Sequence, residues 1–220
     1  MKIPVGVPIL LILIAGLSCA DIASPSRNDA YEWRLIQATG PGTTDTLAFH
    51  WPRSRLPVKI WVQDTLNLPA DVQSGVDKWK AAFLYGEFDG VTVADSNVAD
   101  VMVRLGPVLK VEADAIDLHG AAPECEGGTS FDLPPGSSEL QVPIRIFINP
   151  RFDPASPGVD QCLALTATHE LGHALGIFTH SPNATDIMYF DPAVSELSSS
   201  DRSTAELAYH TAADLTVAER

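Results

Sequence analysis

Positive charge is scarce in this chain. Lysine and arginine number 14 against 28 aspartates and glutamates, a formal net charge of −14 over 220 residues. Nucleic acids are bound through basic surfaces that neutralise phosphates, so this balance argues against a nucleic-acid partner, and none is expected. It also argues against docking on an anionic membrane surface. The acidic excess reads as a solvated surface that keeps the molecule soluble. Cysteine is scarce as well, limited to Cys19, Cys125 and Cys162. Long apolar runs are missing after the first 20 residues, so no membrane span is expected in the mature chain. Aromatics make up only 7%, yet 45% of residues are hydrophobic, enough for the core of one domain of ordinary size.

The apolar run that does exist is at the start. Met1 and Lys2 precede Ile3 to Leu17, and Ser18-Cys19-Ala20 supplies small residues for cleavage. This reads as a secretory signal peptide over residues 1–20, with lipidation of Cys19 or a retained anchor as alternatives. Its removal takes away Lys2 and no acid, leaving 28 acids against 13 bases, or −15. A secreted or extracytoplasmic location is expected. In an oxidising compartment the two remaining cysteines, Cys125 and Cys162, most simply pair. Such a bridge would tie the loop over 123–128 to the start of a helix near Gln161. Closing that loop is expected to stabilise the fold by about 3–4 kcal/mol.

Residues 21–50 are polar and broken by Ser24-Pro25-Ser26 and by Gly40-Pro41-Gly42, an N-terminal arm or linker in which Tyr31 to Ile36 is one short strand. The domain proper is expected over 51–220. Pro57 to Val62 alternates as a strand does. After Pro69, a helix is expected from about Ala70 to Tyr85, since Val72, Val76, Trp79 and Phe83 recur at helical spacing. Trp79 on that stripe reads as core. Val91-Thr92-Val93 and Ala99 to Leu105 read as strands, and Gly106 to Pro143 as irregular chain. Val142 to Asn149 is a further strand. Asp160 is the expected N-cap of a helix over 161–175, and Ser198 to Asp201 caps a last helix through Ala212.

The chemistry is concentrated at Thr168-His169-Glu170-Leu171-Gly172-His173-Ala174-Leu175-Gly176-Ile177-Phe178-Thr179-His180, followed by Asp186-Ile187-Met188-Tyr189. Positions i and i+4 lie on one helix face, so His169 and His173 can offer two imidazole nitrogens to one ion. Glu170 is one step round the helix. Zinc suits this pattern, because a catalytic zinc takes three protein ligands and keeps a fourth position open for water. The ion brings the pKa of that water towards neutrality, and a carboxylate base completes its activation. HExxH alone arises by chance in helices rich in Ala, Leu, Glu and His. Gly176 adds weight: it stands where a helix ends in a left-handed residue, letting the chain turn and bring His180 back.

This stretch resembles the metzincin clan of zinc peptidases, and within it the matrixin-like bacterial members, whose pattern is HExxHxxGxxH followed by a Met-turn. His169, Glu170, His173, Gly176 and Met188 match that pattern; His180 falls one residue late, with Thr179 at the family's third-ligand position. The resemblance implies an α+β zincin catalytic domain, with a twisted mixed sheet, an active-site helix and a C-terminal helix. It implies a metalloendopeptidase acting on peptides or proteins, with one catalytic Zn2+ on His169, His173 and His180, Glu170 as general base, and Met188 beneath the metal. Tyr189-Phe190-Asp191-Pro192 is expected in the wall of a substrate pocket. Ca2+ on Asp114, Asp117 or Asp132 is a weaker expectation, and His119 stands alone. No cysteine sits in the Pro-Arg-Cys-Gly context of the matrixin latency switch. A monomer is expected.

Two rivals remain open at the level of sequence. In a gluzincin-type hydrolase Glu196 or Glu206 would replace His180 as third ligand. In a non-catalytic surface binding protein the zinc would be structural, a role that does not need Glu170.

Overall fold

The computed structural model describes residues 29–107, 115–122, 125–151 and 158–218. The signal peptide expected over 1–20, Cys19 and Asp114 lie outside these residues. Among the described residues, nine strands and three α-helices follow in the order β1 (Leu35–Gly40), β2 (Thr43–Leu47), β3 (Val58–Val62), α1 (Leu68–Lys80), β4 (Gly90–Val93), β5 (Val101–Leu105), β6 (Ala115–Ala122), β7 (Cys125–Asp132), β8 (Glu139–Pro150), α2 (Val159–Ala174), α3 (Ser199–His210) and β9 (Thr216–Val217). The fold is α+β around a mixed sheet. Among the described residues no helix is long and apolar enough to cross a membrane.

The sheet runs β4-β3-β5-β8-β7-β6. Strands β4, β3, β5 and β8 are parallel; β7 runs antiparallel to β8, and β6 antiparallel to β7. Ile60 pairs with Val101, and Val103 with Ile146, so their side chains stand on one face. That face is buried and covered by α1 and α2, each large side chain contributing about 1.5–3 kcal/mol. Helix α1 buries Leu68, Val72, Val76 and Trp79. The Trp79 indole also donates to the Thr168 carbonyl of α2 at 2.8 Å, tying the two helices together.

Several expectations need correction. The first strand starts at Leu35 rather than Tyr31 and forms a hairpin with β2. Helix α1 ends at Lys80, short of Tyr85. The stretch expected to be irregular contains β6 and β7; strand β7 is glycine-rich, and a sheet neighbour on each side substitutes for the missing alternation. Helix α2 is entered through Gly158, at φ +104°, and Asp160 sits in its first turn without capping it.

One buried acid has a consequence for stability. Asp71 is buried in α1; its Oδ1 accepts from Asn67 Nδ2 at 3.2 Å, while Oδ2 has no partner. Burial, then the nearby Asp160 carboxylate, push its pKa up to about 6. A raised acid favours the fold most when protonated, so this stability is lost as the pH climbs from about 4, the unfolded value, to about 6. Asp71→Asn keeps the bond to Asn67 and removes the charge. Its melting temperature should exceed the parent's at pH 7.5, a gain on the order of 1–2 kcal/mol, with a smaller gap at pH 4.5. A gap that does not widen with pH would refute this account.

Candidate metal centre

Helix α2 packs against strands β6, β7 and β8 and against α1, so it is buried on nearly every side, including His169, Glu170 and His173. Each histidine on it is oriented by a backbone carbonyl. His169 Nδ1 lies 2.7 Å from the Ile187 carbonyl, and His173 Nδ1 lies 2.6 Å from that of Ile177. A proton on Nδ1 satisfies each contact and leaves the Nε2 lone pair free.

The third histidine arrives by a loop. Gly176 takes φ +110°, and a methyl group there would stand 2.2 Å from the Phe49 carbonyl oxygen, so glycine is required both for conformation and for space. Phe178 then buries its ring against Phe49 and Phe131, and its amide donates to the Trp33 carbonyl at 2.7 Å. The Thr179 hydroxyl donates to the Glu32 carbonyl. The extra residue in the spacing is therefore held by the N-terminal arm, and His180 turns inward. Its ring stacks on that of His169 at 5.3 Å and meets that of His173 edge-on at 5.0 Å.

The candidate ligand atoms of the three histidines all lie within 4.8 Å of one another. All three Nε2 atoms are buried and unpartnered. Such orphaned acceptors are rare in a folded interior, and three that converge fit a cation that accepts imidazole nitrogens. Burial lowers the pKa of His169 to about 4, helped by His180; it drives His173 well down, and His180 down too. The rings are thus neutral at ordinary pH, the form a metal ligand needs.

Glu170, the residue after His169 on α2, is wholly buried. Its Oε2 accepts from the Thr129 hydroxyl at 2.7 Å, and its Oε1 has no partner. Burial raises its pKa to about 8, with the Thr129 bond pulling the other way. Met188 is buried with its sulfur against Gly172. Phe190 is half exposed, its ring edge-on to His180 at 5.3 Å, while Tyr189 is partly buried.

The two rival third ligands stand elsewhere. Glu196 is exposed and pairs with Lys78 at 3.1 Å, and Glu206 on α3 does not join the histidines. Asp132 is exposed. The disulfide Cys125–Cys162 is present, linking the first residue of β7 to the first turn of α2.

Two residues at this site were not foreseen as site residues. Thr129 lies within Gly106 to Pro143, the stretch expected to be irregular chain, and on β7. Asp201 was visible as a cap; its hydrogen bonds to the 187–188 turn were not. Compared with protein-family models and with curated protein sequences, the chain matches none, so a functional reading rests on its own residues.

Proposed function

We propose that the protein is a zinc-dependent endopeptidase of metzincin type, matrixin-like, acting on extracellular peptides or proteins. The observation that carries this reading is the convergence of three buried, unpartnered imidazole nitrogens, with a buried carboxylate that has one free oxygen next to His169 on the same helix. His169, His173 and His180 would hold the ion. When bound, zinc supplies Lewis-acid polarisation of a carbonyl and lowers the pKa of water.

The chain's own groups do the rest. The Ile187 and Ile177 carbonyls orient the two helical imidazoles. In its ionised form, which a cation held by the histidines would favour, Glu170 accepts a proton from the attacking water at Oε1 and then passes it to the leaving amine. Its burial excludes competing bulk water. Phe190, on the exposed side of His180, lines the entry for a substrate side chain. The disulfide supports an oxidising compartment, and Met1 to Ala20 supports export.

The test is zinc content together with cleavage of a mixed peptide library, on the full chain and on His180→Ala. One zinc per parent chain with cleavage is expected. The variant should lose zinc affinity by more than the roughly 10–100-fold that outer-shell changes cost, and its cleavage should fall with it. Tight zinc unaffected by His180→Ala would place the third ligand elsewhere. Zinc without cleavage of any peptide would favour a structural metal in a binding protein.

A further inference from the structure

Strand β7 and helix α2 meet through three matched rungs. On the strand, Cys125, Gly127 and Thr129 share one face, as alternate residues do. On the helix, Cys162, Thr166 and Glu170 recur every four residues and share another. The steps agree in length, since two strand residues advance about 6.6 Å and four helical residues about 6 Å.

The first rung is covalent, the Cys125–Cys162 disulfide. The second is a close approach: a methyl group on Gly127 would lie 2.5 Å from Thr166 Cγ2 and 2.2 Å from Glu170 Oε1. Only glycine lets the strand pass this near. The third is polar. Thr129 Oγ1 lies 2.7 Å from Glu170 Oε2 and 3.1 Å from the Glu170 carbonyl oxygen, and its single proton favours the shorter contact with the carboxylate.

We propose that Thr129 is a positioning residue for Glu170, and that the Cys125–Cys162 bridge sets the register of β7 on α2 that delivers it. The proposal rests on reading Glu170 as the general base. Its physical content is confinement. With Oε2 tethered to the hydroxyl and the Gly127 backbone packed against the carboxyl group, the side chain keeps one orientation, and Oε1 is the oxygen left to take a proton. Without the hydroxyl, the carboxylate samples other rotamers, and misplacements of this kind cost up to about 100-fold in rate.

The experiment compares Thr129→Val, Thr129→Ser and the double variant Cys125→Ser/Cys162→Ser in the full chain. Thr129→Val is expected to lower kcat by about 10–100-fold with KM and zinc content little changed, and with a modest drop in melting temperature from the lost partner of Glu170 Oε2. Thr129→Ser should recover most of the loss. Without the bridge, kcat should fall, and adding Thr129→Val should then cost clearly less than it does alone, the mark of a shared role. A Val variant within twofold of the parent, or a Ser variant as poor as Val, overturns the role of the hydroxyl. Equal Val costs with and without the bridge overturn the role of the disulfide.

Activity is not the sole readout. In the metal-free protein, the Glu170 carboxyl stretch can be found by infrared difference against Glu170→Gln. It should shift in Thr129→Val and hold in Thr129→Ser. If the parent hydrolyses no peptide yet the band behaves so, the hydrolase reading fails while the positioning contact stands. If the band ignores Thr129→Val, the positioning proposal fails.

Discussion

Replacing Glu170 by glutamine is expected to lower kcat by about 10³–10⁴-fold while zinc binding and fold stay intact. General-base catalysis accounts for about 10²–10⁴ in rate. A loss at the upper end follows if Glu170 moves the proton twice, from water and then to the leaving amine. Each tenfold is about 1.4 kcal/mol of barrier, so the group is asked for about 4–5.5 kcal/mol. Glutamine has the same shape, and its amide oxygen can still accept from Thr129, the one bond that the carboxylate makes through its side chain. The two helical imidazoles do not depend on Glu170, since His169 and His173 take their orientation from the carbonyls of Ile187 and Ile177. Burying an amide is also easier than burying a carboxylate whose pKa is pushed up to about 8, so the variant should melt no lower than the parent. Single-turnover cleavage and zinc titration of parent and variant would check both halves. If Glu170→Gln cleaves like the parent, another group is the base.

What the sequence revealed and what it hid differ in range. The pairing of His169 with His173 is a matter of helical spacing, and the Trp79 stripe is too, so both are legible from a few neighbouring residues. The disulfide was legible because only two cysteines remained to pair. The inward turn of His180 could be suspected, but its cause could not. Thr179 is drawn away by the Glu32 carbonyl, 147 residues earlier in the chain, and Phe178 by that of Trp33. Strand β7 escaped for a related reason: Gly127 and Gly128 erase the alternation that marks a strand. What replaces it is the pairing to β6 and β8 and the packing on α2. Tertiary contact, rather than local propensity, forms that segment. Thr129 follows from it, since a hydroxyl gains meaning only once the strand is laid against Glu170.

Asp201→Asn should damage both the fold and the metal centre. Asp201 is wholly buried. As N3 of α3 it completes a capping box, its own amide donating to Ser198 Oγ at 3.0 Å while its Oδ2 accepts from the Ser198 amide at 2.9 Å. The same carboxylate does more than cap. Oδ2 also accepts from the Ile187 amide at 2.9 Å, and Oδ1 accepts from the Tyr31 hydroxyl at 2.9 Å and the Met188 amide at 3.3 Å. It thereby joins the N-terminal arm, the last helix and the turn carrying Met188. Asparagine offers one acceptor oxygen and turns an NH2 towards donors, leaving at least one buried amide or hydroxyl unpaired. Bonds to charged acceptors are worth about 1.5–3 kcal/mol, and an orphaned donor costs about 1–3. A loss of about 3–4 kcal/mol follows, near 10 °C in melting temperature for a chain of this size. The damage should extend to the histidines, because the Ile187 residue that Asp201 holds through its amide orients His169 through its carbonyl. Zinc affinity is expected to drop about 10–100-fold, the usual cost of disturbing a ligand's outer partner. Tyr31→Phe separates the two effects: it removes one donor and leaves both turn amides paired. It should cost about 1 kcal/mol and leave zinc affinity unchanged. Equal losses of zinc affinity in the two variants would mean that the arm, and not the turn, carries the coupling.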